Sequence, residues 1–214
     1  MLTSVKDSVT RSTGHRLRLR TGYEWLLAGL ISALLMGCAS DHGRDANHEQ
    51  ANSRKNGAMK PPDIVRREGF LVMGTVTHRK PGTDRPEVIV AIWNDFETRQ
   101  PSIQRHSVDS KYYGVSFAAG SDGSFDYLAG MAVRPVAETP ADLELRQIPA
   151  ARYAVFACPV QSIGPTYRYI FSAWRAESGY EINNAKPAFE EYPPATDTNA
   201  PVLLHIPIHA DHVK

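Results

Sequence analysis

The alternation of apolar and polar positions from residue 61 onward predicts a short series of strands and helices. Residues 64–79 are rich in Val, Ile and Phe, and this composition predicts a strand within them. Residues 85–100 place large apolar side chains at helical spacing, so a helix is expected there. Residues 111–133 contain two strand-like runs around a glycine-containing turn at residues 121–124, which predicts a hairpin.

The same order of elements returns in the second half of the chain. Residues 146–160 predict a strand, and residues 165–177 predict a helix whose aromatic residues share one face. The stretches AFEEYPP (188–194) and VLLHIPIH (202–209) predict two more strands. Each half therefore has the order strand, helix, strand, strand.

Two such repeats, at about residues 61–134 and 144–209, predict one α+β domain over residues 61–214. The expected architecture is a single, mainly antiparallel sheet with two helices on one face. A cleft is expected at the pseudo-twofold axis between the repeats. A chain of this length is sufficient for one substantial hydrophobic core.

The first 37 residues have the pattern of a bacterial export signal. A segment with five Lys or Arg side chains precedes the apolar run WLLAGLISALLMGC at residues 25–38, which is shorter than the ~20 residues of a membrane-spanning helix. The run ends in LMGC, and this ending resembles the lipobox of bacterial lipoproteins. The resemblance implies cleavage before Cys38 and attachment of acyl chains such as palmitate to that cysteine. An uncleaved signal anchor is the alternative.

The segment after Cys38 predicts a tethered, exported domain. Ala39 rather than Asp follows the cysteine, and the lipoprotein resemblance then implies an outer-membrane location facing the periplasm in a Gram-negative cell. Residues 38–60 are polar and contain no aromatic residue, so they are interpreted as a disordered tether.

The net charge and the cysteine content of the domain are counted without residues 1–37, the predicted export signal. Those residues hold five of the 24 Lys and Arg and two of the 23 Asp and Glu, so residues 38–214 carry 19 basic and 21 acidic side chains. This slightly acidic balance does not indicate the excess of basic residues that is typical of nucleic-acid binding. Cys158 then has no cysteine partner within the domain, and it is expected to be a buried thiol.

An ordered series of segments spans nearly all of residues 61–209: IVAIWNDF, YYGVSF, FDYLAGMAV, IPAARYAVFACPV, YIFSAWRAESGYE, AFEEYPP and LLHIPIH. This series resembles the GyrI-like small-molecule-binding domain, which is the effector-binding domain of AraC-type and MerR-type regulators. The resemblance implies a ligand cleft between the repeats and a small-molecule partner, apolar or cationic. It implies no cofactor.

The adjacent carboxylates of Glu190 and Glu191 are the first candidate site. Strand alternation places Ala188, Glu190 and Tyr192 on one face and Glu191 on the other. The family resemblance implies that Glu190 and Tyr192 point into the ligand cleft, where the carboxylate would attract a cation and its pKa would be raised by burial. Glu191 is expected at the sheet margin as a surface residue.

Two structural alternatives for these glutamates remain open at this stage. Glu190 could accept hydrogen bonds from the hydroxyls of Tyr113 or Tyr127, or both glutamates could lie on an edge strand. Further candidates for the wall of the cleft are Tyr113, Phe117, Tyr127, Trp93 and Trp174, although the two tryptophans fit a core role as well.

Motifs of other site types are not found in the sequence. His205 and His209 would be about 13 Å apart along a strand, at ~3.3 Å per residue, which is too far for both to hold one metal ion. No nucleophile elbow, HExxH motif, P-loop or dinucleotide-binding fingerprint occurs.

Three functions are compatible with these observations. The first is a lipid-anchored sensor or scavenger that binds a small apolar or cationic molecule, without a DNA-binding role. The second is a hydrolase of strained electrophiles of the cyclopropanoid type, which the family resemblance implies, with Glu190 as general base and Tyr192 or Tyr113 assisting. The third is a module that binds a protein of the cell envelope. Binding without turnover is favoured because one glutamate with nearby tyrosines is the only chemistry indicated.

Overall fold

The computed structural model describes residues 59–80, 86–118, 122–197 and 199–209. The predicted export signal, the lipidated Cys38 and nearly all of the predicted tether lie outside the described residues. Within the described residues, no helix combines the length and the hydrophobicity needed to cross a membrane.

Eight strands and a few helical segments make up the described part of the chain. The strands are β1 (Asp63–Arg67), β2 (Phe70–Arg79), β3 (Tyr112–Ala118), β4 (Phe125–Val133), β5 (Glu144–Ile148), β6 (Ala151–Cys158), β7 (Ala188–Tyr192) and β8 (Val202–Ile208). Helix α1 (Pro86–Gln104) lies between β2 and β3. After a 3₁₀ turn (Val160–Ser162), helix α2 (Ile163–Tyr169) continues through a π-helical turn (Ile170–Trp174) into α3 (Arg175–Glu177).

All eight strands form one antiparallel sheet in the order β1-β6-β8-β7-β3-β4-β2-β5. The first repeat contributes β2, β3 and β4, the second contributes β6, β7 and β8, and the β3–β7 pair joins them at the centre. Strand β1 lies at the start of the first repeat but pairs with β6 of the second, and β5 lies at the start of the second repeat but pairs with β2 of the first. The predicted α+β fold with an antiparallel sheet and two helical regions is confirmed.

Two stretches that each predicted a strand contain two strands. Residues 64–79 are divided between β1 and β2 by Glu68 and Gly69, and residues 146–160 contain the end of β5 and the whole of β6, separated by Pro149 and Ala150. Proline has no N–H to donate to a sheet, and glycine is a weak strand former, so both connections fall where strand pairing is least favourable.

The sheet has a hydrophobic core on each face. On one face the apolar sides of α1 and α2, including Trp93, Phe96 and Ile163, pack on the strands. The other face packs largely against itself because the sheet is strongly curved. The ring of Phe70 on β2 lies 5.6 Å from the ring of Phe189 on β7, although β4 and β3 lie between these strands. Both faces of the central strands are therefore buried.

Candidate functional site

Glu190 lies on the helix-covered face of β7, near the centre of the sheet, and only 2% of its surface is exposed. Its Oε2 atom accepts a hydrogen bond from the Tyr127 hydroxyl at 2.9 Å and a longer one from the Tyr192 hydroxyl at 3.4 Å. Its Oε1 atom accepts a hydrogen bond from the Tyr167 hydroxyl at 2.9 Å. We call these four residues the tyrosine cage.

The cage draws on both repeats. Tyr127 comes from β4 of the first repeat, whereas Glu190 and Tyr192 come from β7 of the second and Tyr167 comes from α2. The bond between Tyr127 and Glu190 passes over β3, which lies between β4 and β7 in the sheet. The site therefore lies at the junction of the repeats, where the pseudo-twofold arrangement predicted a cleft.

Aromatic rings extend the wall of the cage toward α1. The indole ring of Trp93 lies 5.2 Å from the ring of Tyr192, edge to face, and Phe96 packs against Trp93 at 5.6 Å. On the other side, the ring of Tyr167 stacks on Phe171 at 6.1 Å. Glu190 is therefore surrounded by aromatic rings as well as by hydroxyl groups.

Burial dominates the electrostatics of the cage. It raises the pKa of Glu190 to about 7, and the three tyrosine hydrogen bonds oppose this shift without cancelling it. Burial and the adjacent carboxylate raise the pKa of Tyr127, Tyr167 and Tyr192 well above the usual range, so all three hydroxyls remain protonated donors. Among the described residues no Lys, Arg or His side chain forms an ion pair with Glu190. The carboxyl group therefore changes charge near neutral pH without a cationic partner from those residues.

Glu191 projects from the opposite face of β7, as the strand alternation predicted, but the expectation that it is a surface residue is wrong. It is 3% exposed, because β7 is a central strand and the sheet curves around this face. Lys111 Nζ lies 2.5 Å from its Oε1 atom, and Arg67 and His205 nitrogens lie 3.2 Å and 3.4 Å from its Oε2 atom. Burial alone would raise the pKa of Glu191, but these contacts with His205 and Lys111 and the charge of Arg67 hold it at about 2.

Tyr113 and Phe117 do not lie beside Glu190, which corrects the sequence-based choice. Tyr113 is directly opposite Glu191 in the β3–β7 register, so its side chain belongs to the other face, where its hydroxyl donates to Asp109 at 3.0 Å. Phe117 shares that face and packs beneath the Arg146 guanidinium at 5.1 Å. Alternation places these side chains on one common face, but the register between β3 and β7 decides which glutamate that face carries.

Of the two structural alternatives for the glutamates, hydrogen bonding of Glu190 to a tyrosine is observed and an edge-strand position is not. A hydrogen bond from Tyr127 is present, whereas the Tyr113 hydroxyl bonds elsewhere, and neither glutamate is on an edge strand. Trp174 belongs to the helix-side core and packs on Phe156 at 5.1 Å.

Sequence reasoning missed Tyr167 as a cage residue. The spacing of aromatic and apolar residues in 165–177 predicted that Tyr167 lies on the apolar face of a helix, but it gave no reason to expect that the Tyr167 hydroxyl contacts Glu190.

Two further expectations concern histidine and cysteine. Of the described residues, no group of three or more His, Cys, Asp and Glu side chains is arranged to hold a metal ion. Cys158 is buried on β6, and burial raises the pKa of its thiol, as expected for a structural cysteine.

Comparison with known proteins places this architecture among effector-binding domains. A family model described as integron-associated effector binding protein (Cass2) matches residues 63–208. The transcriptional regulator BrlR of Pseudomonas aeruginosa is 31% identical over 152 residues, which cover 68% of this chain and 54% of the regulator. The chain therefore spans about half the length of this curated relative.

Solved structures with the same fold are more distant in sequence. The structure of SAV2435 bound to tetraphenylphosphonium has a TM-score of 0.59 at 12% identity, covering 71% of this chain and 95% of that one. An integron cassette protein from the mobile metagenome of Vibrio cholerae has a TM-score of 0.54 at 18% identity, covering 71% and 97% of the respective chains. At these identities the likeness concerns the fold alone.

Proposed function

This chain belongs to the Cass2 family of integron-associated effector binding proteins, and we propose that its tyrosine cage binds a small organic cation or a neutral aromatic molecule as effector. The observation that carries the proposal is the buried Glu190 carboxyl group, held by three hydroxyls and surrounded by aromatic rings. The family supplies the general role of effector binding. The residues of the tyrosine cage indicate which chemical class of ligand would bind.

A cation suits this environment for two physical reasons. An ionised carboxylate buried among neutral groups is unfavourable, and a positive charge placed beside it would offset much of that cost. The faces of Trp93, Tyr167 and Tyr192 would add cation–π attraction, which is strongest where water is excluded. Because Glu190 is almost fully buried, the ligand enters only when aromatic side chains around the cage move apart.

Tetraphenylphosphonium is a suitable probe, since a protein of the same fold has been crystallised with it. We expect the full-length chain to bind this cation with quenching of Trp93 fluorescence. Glu190→Gln is expected to weaken binding by about tenfold or more, because a charge contact in a desolvated site is lost. Glu177→Gln, at an exposed position on α3, is the matched control and should bind as the wild type does. Equal affinity of all three proteins would contradict the proposal.

The location of the domain is a separate part of the proposal. Acylation of Cys38 in the LMGC sequence would tether the effector site to a membrane, with more than one acyl chain supplying stable attachment. In a Gram-negative cell the site would face the periplasm, and the protein would act there as a sensor or scavenger of its ligand.

Hydrolysis is the second candidate, favoured by one observation. The pKa of Glu190 is about 7, which suits a general base that takes a proton from water as the water oxygen attacks a ring carbon. The ring carbon–carbon bond would break in this step, and Glu190 would return the proton to the carbon released, while the Tyr127 and Tyr167 hydroxyls at 2.9 Å hold the carboxyl group in place. The test is to incubate the protein with a strained, cyclopropane-containing electrophile and to look for the water adduct by mass spectrometry. An adduct whose formation requires Glu190 would support catalysis, and an unchanged compound would leave binding as the function.

A further inference from the structure

Gly114 lies on β3 directly opposite Glu190 in the β3–β7 register. Glycine is unfavourable within a strand, because it loses more conformational freedom on folding than other residues and has no side chain to pack. The backbone conformation does not require it at this position. Among the described residues the glycines with positive φ are Gly123 and Gly179.

The surroundings of Gly114 supply a different reason for glycine. A Cβ atom at this position would lie 2.2 Å from the Tyr127 hydroxyl oxygen and 2.3 Å from Glu190 Oε2. Both distances are far below van der Waals contact, and both atoms belong to the tyrosine cage. The hydrogen bond between them, 2.9 Å long, occupies the space that any side chain on this residue would need.

Two other strand glycines show that this arrangement is specific to Gly114. Gly74 and Gly130 face each other in the β2–β4 pair, and a Cβ atom on either would lie within 2.3 Å of a main-chain carbonyl oxygen. Those glycines allow two backbones to approach. Gly114 instead allows two polar side chains to meet above its own backbone.

We infer that Gly114 is a positioning residue of the effector site, whose missing side chain leaves the space in which the Glu190 carboxyl group and the Tyr127 hydroxyl meet. The inference rests on the proposed function, because it treats the tyrosine cage as a binding site. It adds a residue that makes no polar side-chain contact itself. Glu190 and Tyr127 come from strands on either side of β3, so a side chain at Gly114 would separate the contributions of the two repeats.

The test is Gly114→Ala in the full-length chain, with Ser116→Ala as the matched control. Ser116 is two residues farther along β3 on the same face of the sheet. Because the atoms that the added methyl group would meet are the ends of side chains, we expect Gly114→Ala to fold and to displace the cage. Its affinity for tetraphenylphosphonium should fall by about tenfold or more, and the titration of Glu190, followed by carboxyl ¹³C NMR, should move away from that of the wild type. Ser116→Ala should change neither quantity.

A second comparison covers the case in which Gly114→Ala does not fold. The same substitution is made in a background that lacks both opposing atoms, Tyr127→Phe with Glu190→Ala. In that background only the ring carbon Cζ of residue 127, 3.0 Å from the added Cβ atom, remains close. Gly114→Ala should therefore lower the melting temperature much less there than it does in the wild type, because alanine is otherwise the better strand residue. An equal loss of stability in both backgrounds would overturn the inference, as would a Gly114→Ala protein with unchanged Glu190 titration. If the wild type does not bind tetraphenylphosphonium, the proposed cation site fails, while the titration and the melting comparison still decide the role of Gly114.

Discussion

Replacing Glu190 by Gln should make the protein more stable at alkaline pH while weakening cation binding. The pKa of Glu190 is raised from 4.5 to about 7, so the folded protein binds this proton more tightly than the unfolded chain does. A group shifted in this direction contributes stability that is present below pH 4.5 and is lost as the pH rises through about 7. The difference of 2.5 pH units at 1.36 kcal/mol each corresponds to about 3 kcal/mol.

Glutamine imitates the protonated carboxyl group and does not ionise. Above pH 8 the Glu190→Gln protein should therefore exceed the wild type by about 3 kcal/mol in unfolding free energy, and below pH 5 by about 1 kcal/mol or less. For a domain of this size the alkaline difference corresponds to roughly 10 °C in melting temperature. The tyrosine hydroxyls donate to the amide oxygen and can accept from its NH₂ group, so the substitution leaves no cage atom without a partner.

The assay is urea unfolding of both proteins at pH 5 and pH 8.5, followed by tetraphenylphosphonium titration at the same two values. Wild-type affinity should increase with pH because the cation binds the ionised carboxylate in competition with a proton. The glutamine variant should bind weakly at both values. A stability difference that does not change with pH, or a Glu190→Gln protein that is less stable at pH 8.5, would refute the assignment of Glu190 as a buried group that ionises near neutrality.

Three more predictions concern Glu191, Tyr167 and Cys38. Glu191→Gln should lower the unfolding free energy by about 2 kcal/mol above pH 4.5 and by progressively less toward pH 2, because the pKa of Glu191 is depressed to about 2. The effect is limited to this size because the partners Lys111 and Arg67 are partly exposed. Unfolding curves measured across this pH range test the effect, and the affinity for tetraphenylphosphonium should stay unchanged. Tyr167→Phe should raise the pKa of Glu190 above about 7, because a hydrogen bond that lowers it is lost, and carboxyl NMR would expose the error if the titration did not move. Cys38→Ala should abolish acylation, and an unmodified Cys38 in the intact mass of membrane-extracted wild-type protein would rule out the proposed anchor.

The order of strands and helices was predictable because each element carries its own hydrophobic period. The β3–β4 hairpin falls within its predicted segment and AFEEYPP contains β7, whereas helix α1 starts in the predicted segment 85–100 and continues to Gln104. The short connections at Glu68–Gly69 and Pro149–Ala150 were missed. Each joins two strands of similar composition, and apolar patterning does not mark a break of two residues.

The site was predictable to the extent that it depends on alternation within one strand. Glu190 and Tyr192 share a face, and Glu191 has the opposite one, as local geometry requires. The burial of Glu191 and the displacement of Tyr113 depend on the register between β3 and β7 and on the curvature of the sheet. These are properties of residues that are distant in sequence, so no local pattern contains them.

The exchange of β1 and β5 between the repeats has a consequence for how the domain can be divided. A cut in the connection between β4 and β5 would leave the first fragment without the edge strand of its own sheet half, and the second fragment would lack β1 in the same way. Neither fragment would be a self-sufficient folding unit, although each would contain a full strand-helix-strand-strand repeat. The two fragments should instead recover structure only when mixed, as a complementation pair. Because Tyr127 belongs to one fragment and Glu190 to the other, recovery of cation binding would report directly that the two had reassembled.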